Sequence, residues 1–265
     1  MTVPSTCLMR FSVQRGLNCN QPADGPILTA ALLAAVGADE AAASEGLAEL
    51  FARYNPDVWP GHVIAYVLIV AAIGLLVWRP GTSSSRAVTA LIAGLWVWLG
   101  IVFHGMYATD LDWTLGSIYA VLFVLQGGLM VRAGILRRGL EFTAGHGAAG
   151  KTGWVLLAFA LLIYPAIGIA SGHGYPQAPL FGMAPCPTTI ATFGLLLLAR
   201  APLPRHVLVI PIVWAVLGPL GAVPQGMTED LGLFAAGVLT TAIVFVRDRE
   251  PSERHPLRVQ HARDT

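Results

Sequence analysis

From residue 58 to residue 246 the chain alternates long apolar runs with short polar breaks. A helix crossing a bilayer core needs about 20 mostly apolar residues. Seven runs meet or approach that length: 58–78, 87–107, 114–132, 152–171, 181–199, 206–223 and 230–246, the last two being the shortest. The pattern predicts an all-α membrane protein of seven transmembrane helices. Ahead of the first run, "EGLAELFARYN" (45–55) places Leu47, Leu50, Phe51 and Tyr54 on one side of a helix. That spacing predicts a short amphipathic helix along the membrane interface, before Pro60 opens the first span. "ILTAALLAAVGA" (27–38) is too short to span; with Arg10 and Arg15 ahead of it, it has the outline of a late signal peptide. A disordered tail or a misassigned start is the plainer description of residues 1–44 and is the one expected. The expected organisation is a tail over 1–44, an interfacial helix over 45–56, a seven-helix membrane domain over 57–247 and a charged cytoplasmic tail over 248–265.

Charge in the connections orients the spans, because Lys and Arg are retained on the cytoplasmic side. Arg79 and Arg86 follow the first run, and Arg132, Arg137, Arg138 and Lys151 follow the third. Arg200 and Arg205 follow the fifth, and Arg247, Arg249, Arg254, Arg258 and Arg263 follow the seventh. The alternate connections carry Asp110 and Asp112, no charge at all, or Glu229 and Asp230. The expectation is an outside N-terminus and a cytoplasmic C-terminus in a bacterial inner membrane. Trp59 and Trp113 fall at outer ends and Trp78 and Trp154 at inner ends, where interfacial anchors belong.

Composition agrees: 55% of the 265 residues are apolar and 12% are charged, against about 25% charged in a soluble domain. A net charge of +1 gives no electrostatic case for nucleic acid, which leaves the lipid bilayer as the expected partner. Three cysteines are too few for a disulfide scaffold, although Cys7 and Cys19 are placed to pair in an oxidising compartment.

Two stretches echo each other. "GLLVWRPGTSSSRAVTALIAGLWVWLG" (74–100) parallels "GLLLLARAPLPRHVLVIPIVWAVLG" (194–218), and "GMYATDLDWTLG" (105–116) parallels "GMTEDLGLFAAG" (226–237). Spans one to three and five to seven would then form a 3+1+3 parallel repeat, a transporter architecture similar to that of the sugar-exporting SWEET proteins.

Once the spans are oriented, polar side chains with binding chemistry gather at the outer end. His62 starts the first span, His104 and Met106 end the second, and His173 follows the fourth. Met183, Cys186, Thr188 and Thr189 open the fifth, and Glu229 and Asp230 begin the seventh. In "FGMAPCPTTIATFG" (181–194), a helix beginning near Phe181 would put Cys186 about 8 Å deep. There Pro185 and Pro187 would free the carbonyls of Phe181 and Met183. Unpaired backbone at that depth needs a protein cover or a wet cavity, so the segment is expected to border an outward-facing pocket. Thiol, thioether and imidazole together suit a soft metal ion, while the lack of His-x-x-x-His or Cys-x-x-Cys spacing suits a small neutral solute instead. Gln126, in the third span, is expected to join helices.

"FARYNPDVWP" (51–60), "FGMAPCPTTIATFGLLLLAR" (181–200) and "TEDLGLFAAG" (228–237) resemble a family of bacterial polytopic membrane proteins defined as a domain of unknown function. The resemblance covers about residues 45–246 and is most specific at Cys-Pro-Thr-Thr. It implies a multi-pass protein and assigns no activity, cofactor or partner. Three functions are compatible with these features. The first is a small transporter or channel, for a soft metal or a small neutral solute. A membrane-embedded metal hydrolase of the ceramidase kind is the second; His104 near Asp110 fits it, but the last span lacks its histidine pair. The third is a non-catalytic assembly partner.

Overall fold

The computed structural model describes residues 46–145 and 147–249. The expectations for residues 1–44, including the signal-like run and the Cys7–Cys19 pair, and for the tail beyond Arg249 lie outside them. Among the described residues there are eight helical segments. Residues 46–57 form α1. Then come α2 (Gly61–Trp78), α3 (Thr82–Asp110), α4 (Trp113–Leu136), α5 (Gly147–Ala170), α6 (Pro185–Leu198), α7 (His206–Gln225) and α8 (Thr228–Arg247).

Six of these, all but α1 and α6, are long and apolar enough to cross a membrane. They also wear their apolar residues outside. Val67 and Val70 of α2, Val121 of α4, Leu162 of α5 and Val238 of α8 are all exposed. A water-facing surface would carry charge at such positions, so this apolar skin is in contact with lipid. Trp59, Trp78 and Trp113 stand exposed at helix ends. The chain is a multi-pass membrane protein.

The fifth expected span, 181–199, is the departure. In place of a helix over 181–199, α6 has 14 residues, about 21 Å of length at 1.5 Å per residue. That is short of a bilayer core of about 30 Å. Its start is fixed by Ala184, whose backbone is extended (φ −114°, ψ 142°), and its end by the extended Ala199. All 14 residues are buried, and α5, α7, α8 and α3 pack around it. A helix that meets no lipid need not match the lipid's thickness. The helix α2, its counterpart in the sequence echo, is peripheral, with 28% of its span buried. The two halves of the echo thus occupy unlike environments.

Three helices depart from α geometry, with π-helical stretches at Leu99–Tyr107 in α3, Val131–Leu136 in α4 and Phe159–Ile163 in α5. The third ends two residues before Pro165, and Pro211 and Pro219 lie inside α7. Gln126 in α4 donates to the carbonyl of Val207 in α7 at 2.8 Å, fastening two helices.

The connections gather at two ends. At one, Thr143 N donates to the Leu198 carbonyl (3.0 Å) and Arg200 N to that of Glu141 (2.8 Å). Also there, Leu203 N donates to Asp248 (2.9 Å), and the Arg247 guanidinium donates to the carbonyls of Leu197 and Ala199. This is the arginine-rich end. The other end holds the 108–112 turn, the 171–184 segment and the 223–230 turn, and it contains the cavity.

Candidate functional site

A cavity of about 280 Å³ lies at that second end, bounded by α1, α3, α4, α7 and the first residues of α6 and α8. Leu47, Leu50 and Phe51 of α1 form one wall. The amphipathic face read from the sequence is therefore turned onto the bundle: Leu50, Phe51 and Tyr54 are buried. Tyr54 is the fastening. Its hydroxyl accepts from Trp98 Nε1 (3.1 Å) and donates to Met183 Sδ (3.9 Å). Its ring meets Phe103 and Tyr107 edge-on, with centroids 5.2 and 5.0 Å away. Burial pushes the Tyr54 phenol above its ordinary pKa, so it stays neutral and keeps its proton for the sulfur.

His104 lies in the π-helical stretch of α3 and lines the cavity. Such stretches recur at functional sites because the extra residue per turn re-aims side chains. The ring is 2% exposed and is packed against Phe103, Tyr119, Phe123 and Trp214, with centroids 4.5 to 5.5 Å away. Neither ring nitrogen has a hydrogen-bond partner, while the indole N–H of Trp214 beside it has the Cys186 sulfur for a neighbour. Buried polar atoms are almost always paired, so the two imidazole nitrogens leave hydrogen bonds on this wall that a ligand can complete.

The prolines of α6 have a different role from the one expected. Because the helix begins at Pro185, the two prolines occupy its first and third positions and Cys186 its second. Those N–H groups have no intrahelical acceptor in any helix, so no helical bond is lost. Phe181 and Met183 precede the helix, in a turn where Gly182 adopts φ +83° and gives its N–H to Thr188 Oγ1 (2.9 Å). Thr188 and Thr189 spend their hydroxyls on the carbonyls of Ala184 (2.7 Å) and Pro185 (2.8 Å). Cys186 lines the cavity.

At the start of α8 two adjacent carboxylates diverge. Asp230 lines the cavity and accepts the Tyr164 hydroxyl, with the Cys186 thiol beside it. Glu229, 2% exposed, points away from the cavity and faces His173, Nδ1 to Oε1 3.6 Å. Both sit in the first turn of a helix, where the positive end of the helix dipole favours negative charge.

Of the ten expected ligand residues, the cavity brings together His104, Cys186 and Asp230. His62 is diverted: its Nε2 pairs with Asn55 Oδ1 (3.0 Å), while Asn55 Nδ2 donates to the carbonyls of Pro176 and Ala178. Met106 is exposed and Met183 is engaged by Tyr54. Tyr164, Trp214 and Tyr119 line the cavity and were not singled out by sequence. Among the described residues no three His, Cys, Asp or Glu side chains converge to hold a metal ion.

The bundle and its cavity define a multi-pass, all-α membrane protein with a mostly apolar cavity near one end that includes His104, Cys186 and Asp230. Residues 45–255 match DUF6064, a family of unknown function, and the chain belongs to that family. No curated protein and no solved structure matches it.

Proposed function

We propose that this is a small transporter or channel of the bacterial inner membrane, whose cavity takes a small solute from the outer face. The observation that carries the reading is His104: a nearly inaccessible imidazole on a cavity wall with both nitrogens unpaired. Such a group costs stability unless a ligand completes it. The size is suitable, since an apolar cavity of about 150 Å³ takes up benzene. By that scale, about 280 Å³ suits some ten to twelve non-hydrogen atoms. Among the described residues no three-ligand cluster forms, which favours a small organic solute over a soft metal and over a metal hydrolase in this reading.

In this reading the acidic end faces outward, and α6 acts as the central traverse of a seven-pass topology. Its first residues line the cavity, and the carbonyl of Leu198 is bonded at the arginine-rich end. Ala108, half-buried on the cavity wall, is the place to block it. In proteoliposomes loaded with a panel of small amines, alcohols and aromatic solutes, the wild type should accelerate the flux of at least one. Ala108→Trp, folded to the same melting temperature, should lose at least about nine-tenths of that flux. A wild type with no flux for any of them would sink the transport reading.

A further inference from the structure

The charge and the wall chemistry of the cavity point to a more definite ligand than its volume does. Its lining includes two carboxylates, Asp112 and Asp230, and no lysine or arginine. Asp112 sits exposed at the rim and caps α4 by accepting from Leu115 N. Asp230 lies inside, 2% exposed, and no basic side chain pairs with it among the described residues. Its neighbours are donors: the Tyr164 hydroxyl and the Cys186 thiol. A buried carboxylate supported only by neutral donors lacks a countercharge.

The walls are aromatic. Phe51, Phe103, Tyr119 and Trp214 all line the cavity. Tyr119 and Trp214 stand edge to face, 5.1 Å apart. Ring faces carry partial negative charge, and a cage of them attracts ammonium groups, most strongly when water is excluded. The remaining demand comes from His104, both of whose ring nitrogens are unpaired. A neutral imidazole offers one donor and one acceptor. A hydroxyl can meet either of them.

We propose that the cavity binds a small organic ammonium ion bearing a hydroxyl, its cationic head held between the aromatic walls and Asp230 and its hydroxyl completing His104. The inference rests on the cavity being a binding site but not on transport.

Binding can be measured by calorimetry on the full chain in lipid nanodiscs, with choline as the probe. The comparison ligand is its uncharged isostere, in which a tertiary butyl group replaces trimethylammonium. The two share shape and hydroxyl and differ in charge alone. Choline should bind at least about tenfold more tightly, as a desolvated cation–aromatic contact with a carboxylate beside it requires. Asp230→Asn should bring the two affinities to within about threefold of each other. The wild-type comparison is informative even if that variant fails to fold. Isostere binding equal to or tighter than that of choline overturns the ammonium assignment and leaves the cavity as a site for neutral solutes. Failure of both ligands to bind a folded wild type overturns the ammonium assignment and removes the support for the pocket as well.

Discussion

Tyr164 shows what a single side chain contributes here and why the sequence did not display it. It sits in "LLIYPAIG", where an aromatic residue in an apolar run reads as filler, and Pro165 draws the attention. In the fold its hydroxyl is the hydrogen-bond donor to Asp230, 66 positions away. Nothing local in the sequence records that pairing. Tyr164→Phe keeps the ring and removes the donor, leaving a buried carboxylate oxygen short of one partner. The expected cost is about 1–3 kcal/mol of stability, read as a lower denaturant midpoint in detergent. An unchanged midpoint would mean that the bond contributes nothing. Cys186 and Asp230 were legible because their chemistry is conspicuous in an apolar setting. Thr188 and Thr189 were conspicuous too, but hydroxyls near a helix start are commonly consumed by the carbonyl four residues back. That depends on where the helix begins, and the start at Pro185 shifts the register from the expected Phe181.

At the scale of elements, hydropathy located the seven apolar helices among the described residues but not their lengths: α3 runs 29 residues where 87–107 was expected, and α6 runs 14 where 181–199 was. The run 181–199 carries no charge and is mostly apolar, so its sequence alone does not separate a lipid-facing span from a shorter helix enclosed by others. The distinction lies in its partners, and in two glycines that let one of them approach. A β-carbon added at Gly194 of α6 would lie 2.8 Å from the carbonyl oxygen of Gly153 in α5, and the reverse addition meets the carbonyl of Gly194 at 2.8 Å. Backbone meets backbone there, as small residues permit in membrane bundles. Gly194→Ala must push the two helices apart, at an expected cost of about 1–3 kcal/mol. Gly128→Ala, where an added β-carbon meets nothing within 4 Å, serves as the control. It should be neutral or slightly stabilising, since alanine is the better helix former. Equal effects of the two substitutions in thermal unfolding would show that the α5–α6 approach is looser than the distances imply. The amphipathic helix α1 has the same lesson. Its apolar stripe was plain, but whether the stripe meets lipid or protein was not, because both are apolar. Tyr54, paired with Trp98 and Met183, shows that protein is what it meets.

For the whole molecule, the segregation of charge was the most far-reaching feature the sequence offered. Arg79, Arg137, Arg138, Arg200 and Arg205 fall in connections at one end, and Asp110, Asp112, Glu229 and Asp230 fall in the turns at the other. A seven-pass parity requires α6 to run from end to end despite its length, and the first residues of α6 line the cavity while the Leu198 carbonyl is bonded at the arginine-rich end. Which end faces the cytoplasm then depends on the arginines, and it decides which compartment the cavity samples. Asp110 is suited to test this because its ion pair with Arg53, 3.2 Å long, is half-exposed on both sides. Pairs of that kind contribute at most about 1 kcal/mol. With Cys7, Cys19 and Cys186 replaced by serine, Asp110→Cys should react with a membrane-impermeant maleimide in intact spheroplasts. Arg137→Cys should react only after lysis. The opposite pattern would turn the cavity toward the cytoplasm, and any ammonium ligand would then have to be supplied from inside the cell.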